Sequence, residues 1–335
     1  MAATIRDVKE KTGLSLATIS KYLNGGNVLP ENKALIDAAV KELHYEVNEI
    51  ARGLVKNKTK TVGVLIYDIS SFFSSNMLHY IGQELRKQGY AMMICDSYND
   101  VEVEEENLRF LLSRKVDGII VIPVNSSGSF LQPAKEAGIP VILLDREVQD
   151  ESFDCVCIDN RIAAFRAVDI LIKHHHTKIA IIGSNSEVTG VERYQGYRDA
   201  MEQAGIPIQK DYVRLTRFDV REGYEQMKKL LAMEERPTAV FLSNYETALG
   251  AVTALNEMDI TCPDDVSLFG FDDLLVSKVV RPKLWMVVQP MEALSANAVR
   301  ILLERIQEDE DRDAMKLTFG AKLQEGDSIR DIAKI

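Results

Sequence analysis

Apolar residues follow two different rhythms along the chain, and the change comes near residue 60. In the first 45 residues they recur at helical spacing. Thr4, with Asp7 three residues on, starts a helix carrying Ile5 and Val8, and Gly13 breaks it. Ser15 caps a second helix from Leu16 to about Leu23, with Leu16, Ile19 and Leu23 on one side. Asn24-Gly25-Gly26-Asn27 is a stop and turn. Pro30 opens a third helix whose predicted buried stripe is Leu35, Ile36, Ala39, Val40 and Leu43. Two helices joined by a short glycine turn and followed by a third make a helix-turn-helix unit. Residues 46–60 are polar and read as a linker with one short helix.

From Thr61 the apolar runs become short and continuous. Strands are predicted at 61–68, 92–97, 118–123 and 140–145, separated by helices at 76–89, 103–114 and 129–138. The rhythm restarts with a helix at 162–173, a strand at 178–183, a helix at 192–205 and a strand at 213–217. A helix at 222–232, a strand at 239–243, a helix at 245–258 and a strand at 266–271 follow. Such alternation predicts two similar α/β halves, each a doubly wound parallel sheet. Neither a GxGxxG nor a GxxxxGK[ST] segment occurs, so the usual dinucleotide and phosphate loops lack their fingerprints.

At 335 residues and about 150 residues per domain, two to three domains are expected. Apolar stretches such as Val116–Val124 fall far short of the ~20 residues that span a bilayer. The opening Met-Ala-Ala-Thr-Ile-Arg-Asp lacks a signal-peptide pattern, and Cys95, Cys155, Cys157 and Cys262 form no CxxC pair. A cytoplasmic protein is therefore expected. Cys155 and Cys157 share one face of a strand, as buried small hydrophobes rather than a redox or metal pair. Adjacent His174, His175 and His176 splay apart at a helix end, capping it or facing solvent, and cannot converge on one ion. No nucleophile–base motif is visible, so neither an enzyme, a metal nor a cofactor is expected. The formal net charge is −11, but residues 1–60 carry ten Lys/Arg against seven Asp/Glu. A weakly basic head on an acidic body suits a head that meets a polyanion.

Four segments carry a resemblance that spans nearly the whole chain. They are Thr4-Ile5-Arg6-Asp7-Val8 on to Gly13–Asn24; Glu42–Leu54; Glu192-Arg193-Tyr194-Gln195-Gly196-Tyr197; and Arg236–Asn244 with Pro263–Ser267 and Gly270-Phe271-Asp272-Asp273. In order and spacing they are similar to the LacI/GalR family of bacterial transcriptional repressors. That resemblance implies a helix-turn-helix head (1–46), a hinge (47–60) and a periplasmic-binding-protein-like body (61–335). The body would comprise an N-subdomain (61–158 and 290–318) and a C-subdomain (159–289 and 319–335). It also implies a homodimer on a pseudo-palindromic operator in double-stranded DNA, since one head reads one half-site. The chain ends without a leucine heptad tail, so a coiled-coil tetramer is not expected.

The resemblance assigns Leu16, Ala17 and Lys21 to base reading. The hydroxyl and amide groups of Ser15, Thr18, Ser20 and Asn24 suit phosphate or base-edge contact, and Thr4 joins the DNA-contacting set. For Leu16 a core position is the other reading. Asn48, Ala51 and Leu54 correspond to a hinge helix that places a leucine in the minor groove. Gly53, Glu46, Glu49 and Val47 depart from that pattern, and Leu29 stands where a capping Ser or Thr is usual.

In the body the resemblance places Arg193, Asn244 and Asp272 on the effector, a sugar or sugar derivative whose vicinal hydroxyls a guanidinium, amide and carboxylate can satisfy. Asp145, Phe218, Phe72 and Phe73 are further candidates. Tyr245 replaces the usual Asp. Control by a protein corepressor, with Arg300 at its interface, and a solute-binding role are the alternatives.

Overall fold

The computed structural model describes residues 3–45, 58–150, 152–272, 279–307 and 312–334. The chain divides into two units, Met1–Thr59 and Lys60–Ile335. The hinge residues Asn48, Ala51 and Leu54, and Asp273 of the last motif, lie outside the described residues.

The first unit holds α1 (Ile5–Thr12), α2 (Leu16–Leu23) and α3 (Pro30–Glu42). Asp7 accepts hydrogen bonds from Thr4 N (2.7 Å) and Thr4 Oγ1 (2.9 Å), which hold its carboxyl below the usual range. Ser15 Oγ accepts from Thr18 N and caps α2. Leu29 precedes α3 without a capping bond, so Pro30 alone sets that start. Val8, Ile19, Ile36 and Ala39 form the small core, with Leu14, Tyr22, Leu23, Val40 and Leu43 packed on it. The predicted stripe on α3 is one residue too wide. Leu35 is 49% exposed, because it sits about 100° around the helix from Ile36 and both cannot face inward. Tyr22 Oη donates to Asp37 (2.6 Å), and Lys11 pairs with Glu42, tying the helices at their rims.

The second unit contains two six-stranded sheets. The first holds β1 (Thr61–Ile66), β2 (Ala91–Asp96), β3 (Gly118–Val121), β4 (Val141–Leu144), β5 (Asp154–Ile158) and β11 (Lys316–Phe319), in the order β11-β5-β4-β3-β1-β2, all parallel. The second holds β6 (Ile179–Gly183), β7 (Val213–Leu215), β8 (Ala239–Leu242), β9 (Ser267–Phe271), β10 (Trp285–Val288) and β12 (Lys322–Gln324), in the order β12-β10-β9-β8-β6-β7. Strand for strand the orders are the same, except that β12 runs antiparallel to β10. The chain thus passes between the sheets three times, the last time after Phe319, which still pairs with Ile158. Fully buried runs such as Ile119, Ile120 and Val121 show why both faces of these sheets need covering helices.

Those helices are α4 (Phe72–Lys87), α5 (Val101–Ser113), α6 (Gln132–Glu136), α7 (Asn160–Lys173), α8 (Val188–Gln203), α9 (Val220–Leu231), α10 (Tyr245–Glu257) and α11 (Met291–Gln307). Five begin earlier than the spacing predicts: α4 at Phe72 and α8 at Val188 by a full turn, and α5 at Val101, α7 at Asn160 and α9 at Val220 by two residues, each of these three behind an Asp cap. Residues 129–138 are a 3-10 turn (Ser129–Leu131) followed by the short α6, not one helix. No described helix is long and apolar enough to cross a membrane.

The three histidines turn to separate partners. His174 Nδ1 meets Ile170 O, and His175 Nδ1 meets Asp331 (2.7 Å). His176 is buried rather than solvent-facing, between Thr238 Oγ1 (2.9 Å) and the Arg330 carbonyl (3.1 Å), and burial pushes its imidazole down to about 4.

Helices α7 and α8 touch through Gly196, where an added Cβ would lie 2.1 Å from the Arg161 carbonyl oxygen and 2.9 Å from Ala164 Cβ. Gly250 makes the same kind of approach between α10 and α9, with the Val220 oxygen at 2.0 Å. Backbone cannot yield as a side-chain tip can. Gly196→Ala is therefore expected to cost about 2–3 kcal/mol or more, read as a lowered urea midpoint, whereas an unchanged midpoint would show that the helices part freely.

Candidate functional site

In the head, α2 presents one polar and one buried side. Ile19 is buried, whereas Ser15, Leu16 (39% exposed), Ala17 and Lys21 are exposed on the other side. Leu16 therefore is not a core residue of this unit. Thr18, Ser20 and Asn24 are half-buried and already engaged: Ser15 Oγ and Thr18 Oγ1 lie 2.9 Å apart, and Asn24 Nδ2 donates to Ser20 O (2.7 Å). Asn24 Oδ1 has no hydrogen-bond partner among the described residues. Gly26 lets the turn pass close to Lys21, since a Cβ there would meet Lys21 Cγ at 2.8 Å.

In the body, the polar groups gather at the C-terminal ends of the strands, where open α/β sheets bind ligands. Arg193 lies on α8 and is only 3% exposed. Its Nε donates to Asn160 Oδ1 (2.9 Å) and its Nη1 to the Ser243 carbonyl (2.7 Å). Asp272 Oδ2 stands 3.7 Å from Nη1, and the Phe271 ring lies 3.7 Å from the guanidinium carbon. Gln289 Nε2 donates to Asp272 Oδ1 (2.6 Å).

Asp145 follows β4 and Asp272 follows β9, equivalent strands of the two sheets, and both adopt left-handed backbone, φ 67° and 69°. Asp tolerates this conformation better than most residues, yet two such sites facing each other are a sign of a built site. Both side chains are buried. Burial pushes Asp145 up to about 6, opposed by Arg146 and Arg193 and reinforced by Asp272. Burial also raises Asp272 and Glu246 above the usual carboxyl range.

The halves meet through Ser71 Oγ, which donates to Glu246 Oε1 (3.0 Å), and through Phe72, whose ring centroid lies 5.1 Å from that of Tyr245. Arg146 stacks on Tyr67 at 4.2 Å. Asn244 caps α10 by accepting from Thr247 N and donates to Glu246 Oε2 (2.5 Å), so its amide serves its own helix. Several buried polar atoms have no hydrogen-bond partner among the described residues: Asp145 Oδ1, Tyr245 Oη, Gln289 Oε1, Ser243 Oγ and Arg146 Nε, the last standing 3.8 Å from Asp145 Oδ2 as an ion pair.

The structure brings Arg193, Asp272, Asp145, Asn244 and Phe72 to this region. Phe73 does not belong with them: it is 5% exposed and packed in the main core, because α4 already starts at Phe72 and turns the next side chain away. Phe218 is half-buried in the loop after β7. Sequence reasoning missed Arg146, Tyr245 as a polar contributor, Glu246 and Gln289. Each stands next to a flagged residue or at a strand end, which is the one signal that marked them.

A periplasmic binding protein-like domain model matches residues 168–329. The HTH-type transcriptional repressor PurR of Pasteurella multocida (strain Pm70) is 33% identical over 316 residues, 93% of this chain and 95% of that protein. Catabolite control protein A of Priestia megaterium is 32% identical, over 92% and 94% of the two chains. A solved LacI family transcriptional regulator from Enterococcus faecium with bound ribose superposes with a TM-score of 0.74 at 28% identity, covering 81% of this chain and 99% of that one.

Asp145 gives the region a measurable signature. A buried acid raised to about 6 contributes stability that is fully present below its unfolded value of ~4 and lost as pH rises through 6. Asp145→Asn is thus expected to stabilise the unliganded protein at pH 7.5 by about 3 kcal/mol at most and to flatten the stability profile between pH 4 and 6. An unchanged urea midpoint at both pH values would contradict this.

Proposed function

The chain belongs to the LacI/GalR family of bacterial transcriptional repressors, and from that premise we propose that it represses transcription as a homodimer on a pseudo-palindromic operator, released or tightened by a neutral, hydroxyl-rich effector of the sugar class. The observation that carries the effector class is the charge of the cleft. Asp145 and Asp272 are buried there, and Glu246 half-buried, beside Arg193 and Arg146. Arg193 is already matched by Asn160, Ser243 and Asp272. A phosphorylated ligand would add negative charge to a carboxylate-rich, poorly solvated site. Hydroxyls suit the unpartnered acceptors Asp145 Oδ1 and Gln289 Oε1 and the Tyr245 hydroxyl. Phe72, 48% exposed beside Tyr245, offers an aromatic face for a pyranose or furanose ring. The ribose held by the similar Enterococcus faecium regulator supports the same class.

On the DNA side, the outward set Ser15, Leu16, Ala17 and Lys21 supports major-groove reading by α2. Asn48, Ala51 and Leu54 are the proposed minor-groove contacts. Arg300 pairs with Glu304 and Asn297 of its own helix, so a corepressor interface there rests on less than the cleft does. Ligand control works by linkage: an effector that favours one closure of the two halves shifts operator affinity by its differential affinity for the two states.

The test is a thermal-shift panel of neutral pentoses, hexoses and disaccharides beside their phosphates. A fitting neutral sugar at 100 times its Kd adds about 2.7 kcal/mol, several degrees in Tm, and Arg193→Met abolishes the shift. Stabilisation by the phosphates alone would overturn the neutral-sugar reading. Separately, Lys21→Ala is expected to weaken binding to an operator chosen by in vitro selection by about 10- to 100-fold, with equal affinity counting against α2 as the reading helix.

A further inference from the structure

Outside the cleft, three metal-binding side chains converge at one edge of the first sheet. Cys155 and Cys157 stand on the same face of β5, two residues apart. Glu147, in the loop after β4, reaches over them, and the two sulfurs and a carboxylate oxygen all lie within 4.8 Å of one another. Both cysteines are buried, as the sequence leads one to expect of small apolar residues, but their neighbours are not apolar throughout. Cys157 Sγ lies 3.6 Å from Glu147 Oε1 and 3.9 Å from Thr318 Oγ1. Lys316, opposite Cys155 on β11, pairs with the same Glu147 oxygen at 2.6 Å.

We propose that Glu147, Cys155 and Cys157 form a binding site for a thiophilic divalent cation of the zinc type. The separations are those of such a site. Zinc holds thiolate sulfur at ~2.3 Å and carboxylate oxygen at ~2.1 Å, so neighbouring sulfur and oxygen ligands of a tetrahedron stand about 3.6 Å apart. The Cys157–Glu147 separation has that value before any adjustment. The charge also balances: two thiolates and a carboxylate carry three negative charges, against two on the cation and one on Lys316. Three protein ligands leave the fourth position to water or to the Thr318 hydroxyl. An entry path exists on the Glu147 side, whose side chain is 35% exposed, with Lys316 at 55%. Cys95 and Cys262 lie elsewhere and are not part of the cluster. Glu192, the residue before Arg193 on α8, feels the charges of Glu147 and Lys316.

The experiment is titration of the reduced full-length protein with Co²⁺, followed by absorption, and with Zn²⁺, followed by calorimetry. One equivalent of Co²⁺ per chain is expected, with thiolate-to-cobalt charge-transfer bands and the intense visible bands of a tetrahedral ion, displaced by Zn²⁺. Cys157→Ser removes the charge-transfer bands, Glu147→Gln weakens Zn²⁺ at least tenfold, and Cys262→Ser changes neither. Glu147→Gln keeps the test alive should the cysteine variant misfold, because Glu147 is only half-buried. A weak octahedral Co²⁺ spectrum without charge transfer, or full Zn²⁺ affinity in Glu147→Gln, would overturn the assignment. Because neither readout involves DNA or sugar, its failure leaves the repressor reading untouched.

Discussion

The guanidinium of Arg193 is the group around which the body is arranged. A cation that is 3% exposed is tolerated only when neighbours replace its hydration, and here they come from four places. Asn160 lies at the start of α7, the Ser243 carbonyl at the end of β8, Asp272 at the end of β9, and the Phe271 ring beneath. The positions of one helix and two strands are thereby fixed relative to α8. Removing any one partner leaves a buried charge short of a bond, which is more costly than never having buried it. The close helix contact at Gly196, one turn further along α8, holds the arginine at that depth.

Asp145 and Asp272 impose the complementary constraint. They occupy equivalent positions in two sheets of matching strand order, in a backbone conformation that costs a non-glycine residue about 1–2 kcal/mol. Their carboxyls are raised by burial, and Asp145 Oδ1 has no hydrogen-bond partner among the described residues. Strained backbone, an unsatisfied acceptor and like charges within reach of each other are all unfavourable for folding alone. A ligand that supplies hydroxyl donors to both halves relieves part of each, and in doing so favours the arrangement in which the halves are close.

Much of this was legible in the sequence, for specific reasons. The continuous apolar runs that became β1, β3, β4, β6, β8 and β9 are buried on both faces, which leaves no ambiguity of register or face. The head's caps at Thr4, Ser15 and Pro30 are local chemistry and were readable as such. The strands β5, β10, β11 and β12 were not delimited, because runs of three to five residues carry little periodic signal, least of all the edge strands β11 and β12 with their polar members. Helix starts slipped where aromatic or β-branched residues, such as Phe72 and Val188, open the first turn. For the site, Arg193 and Asp272 came from the family resemblance, since no spacing places residues 79 apart at 3.7 Å. Glu246 and Tyr245 were hidden behind Asn244, whose own amide proves to be committed to capping. Phe73 shows the limit in the other direction: a residue beside a correct candidate can face the core.

Coupling between the Arg193 cleft and the DNA-reading head is the central claim, and reciprocity tests it most directly. The measurement is operator affinity by fluorescence anisotropy, with and without the sugar that stabilises the protein, paired with that sugar's own Kd in the presence and absence of saturating operator. Each ligand is expected to change the other's Kd by the same factor, on the order of 5- to 150-fold. Operator affinity that is unchanged at saturating sugar would contradict the coupling.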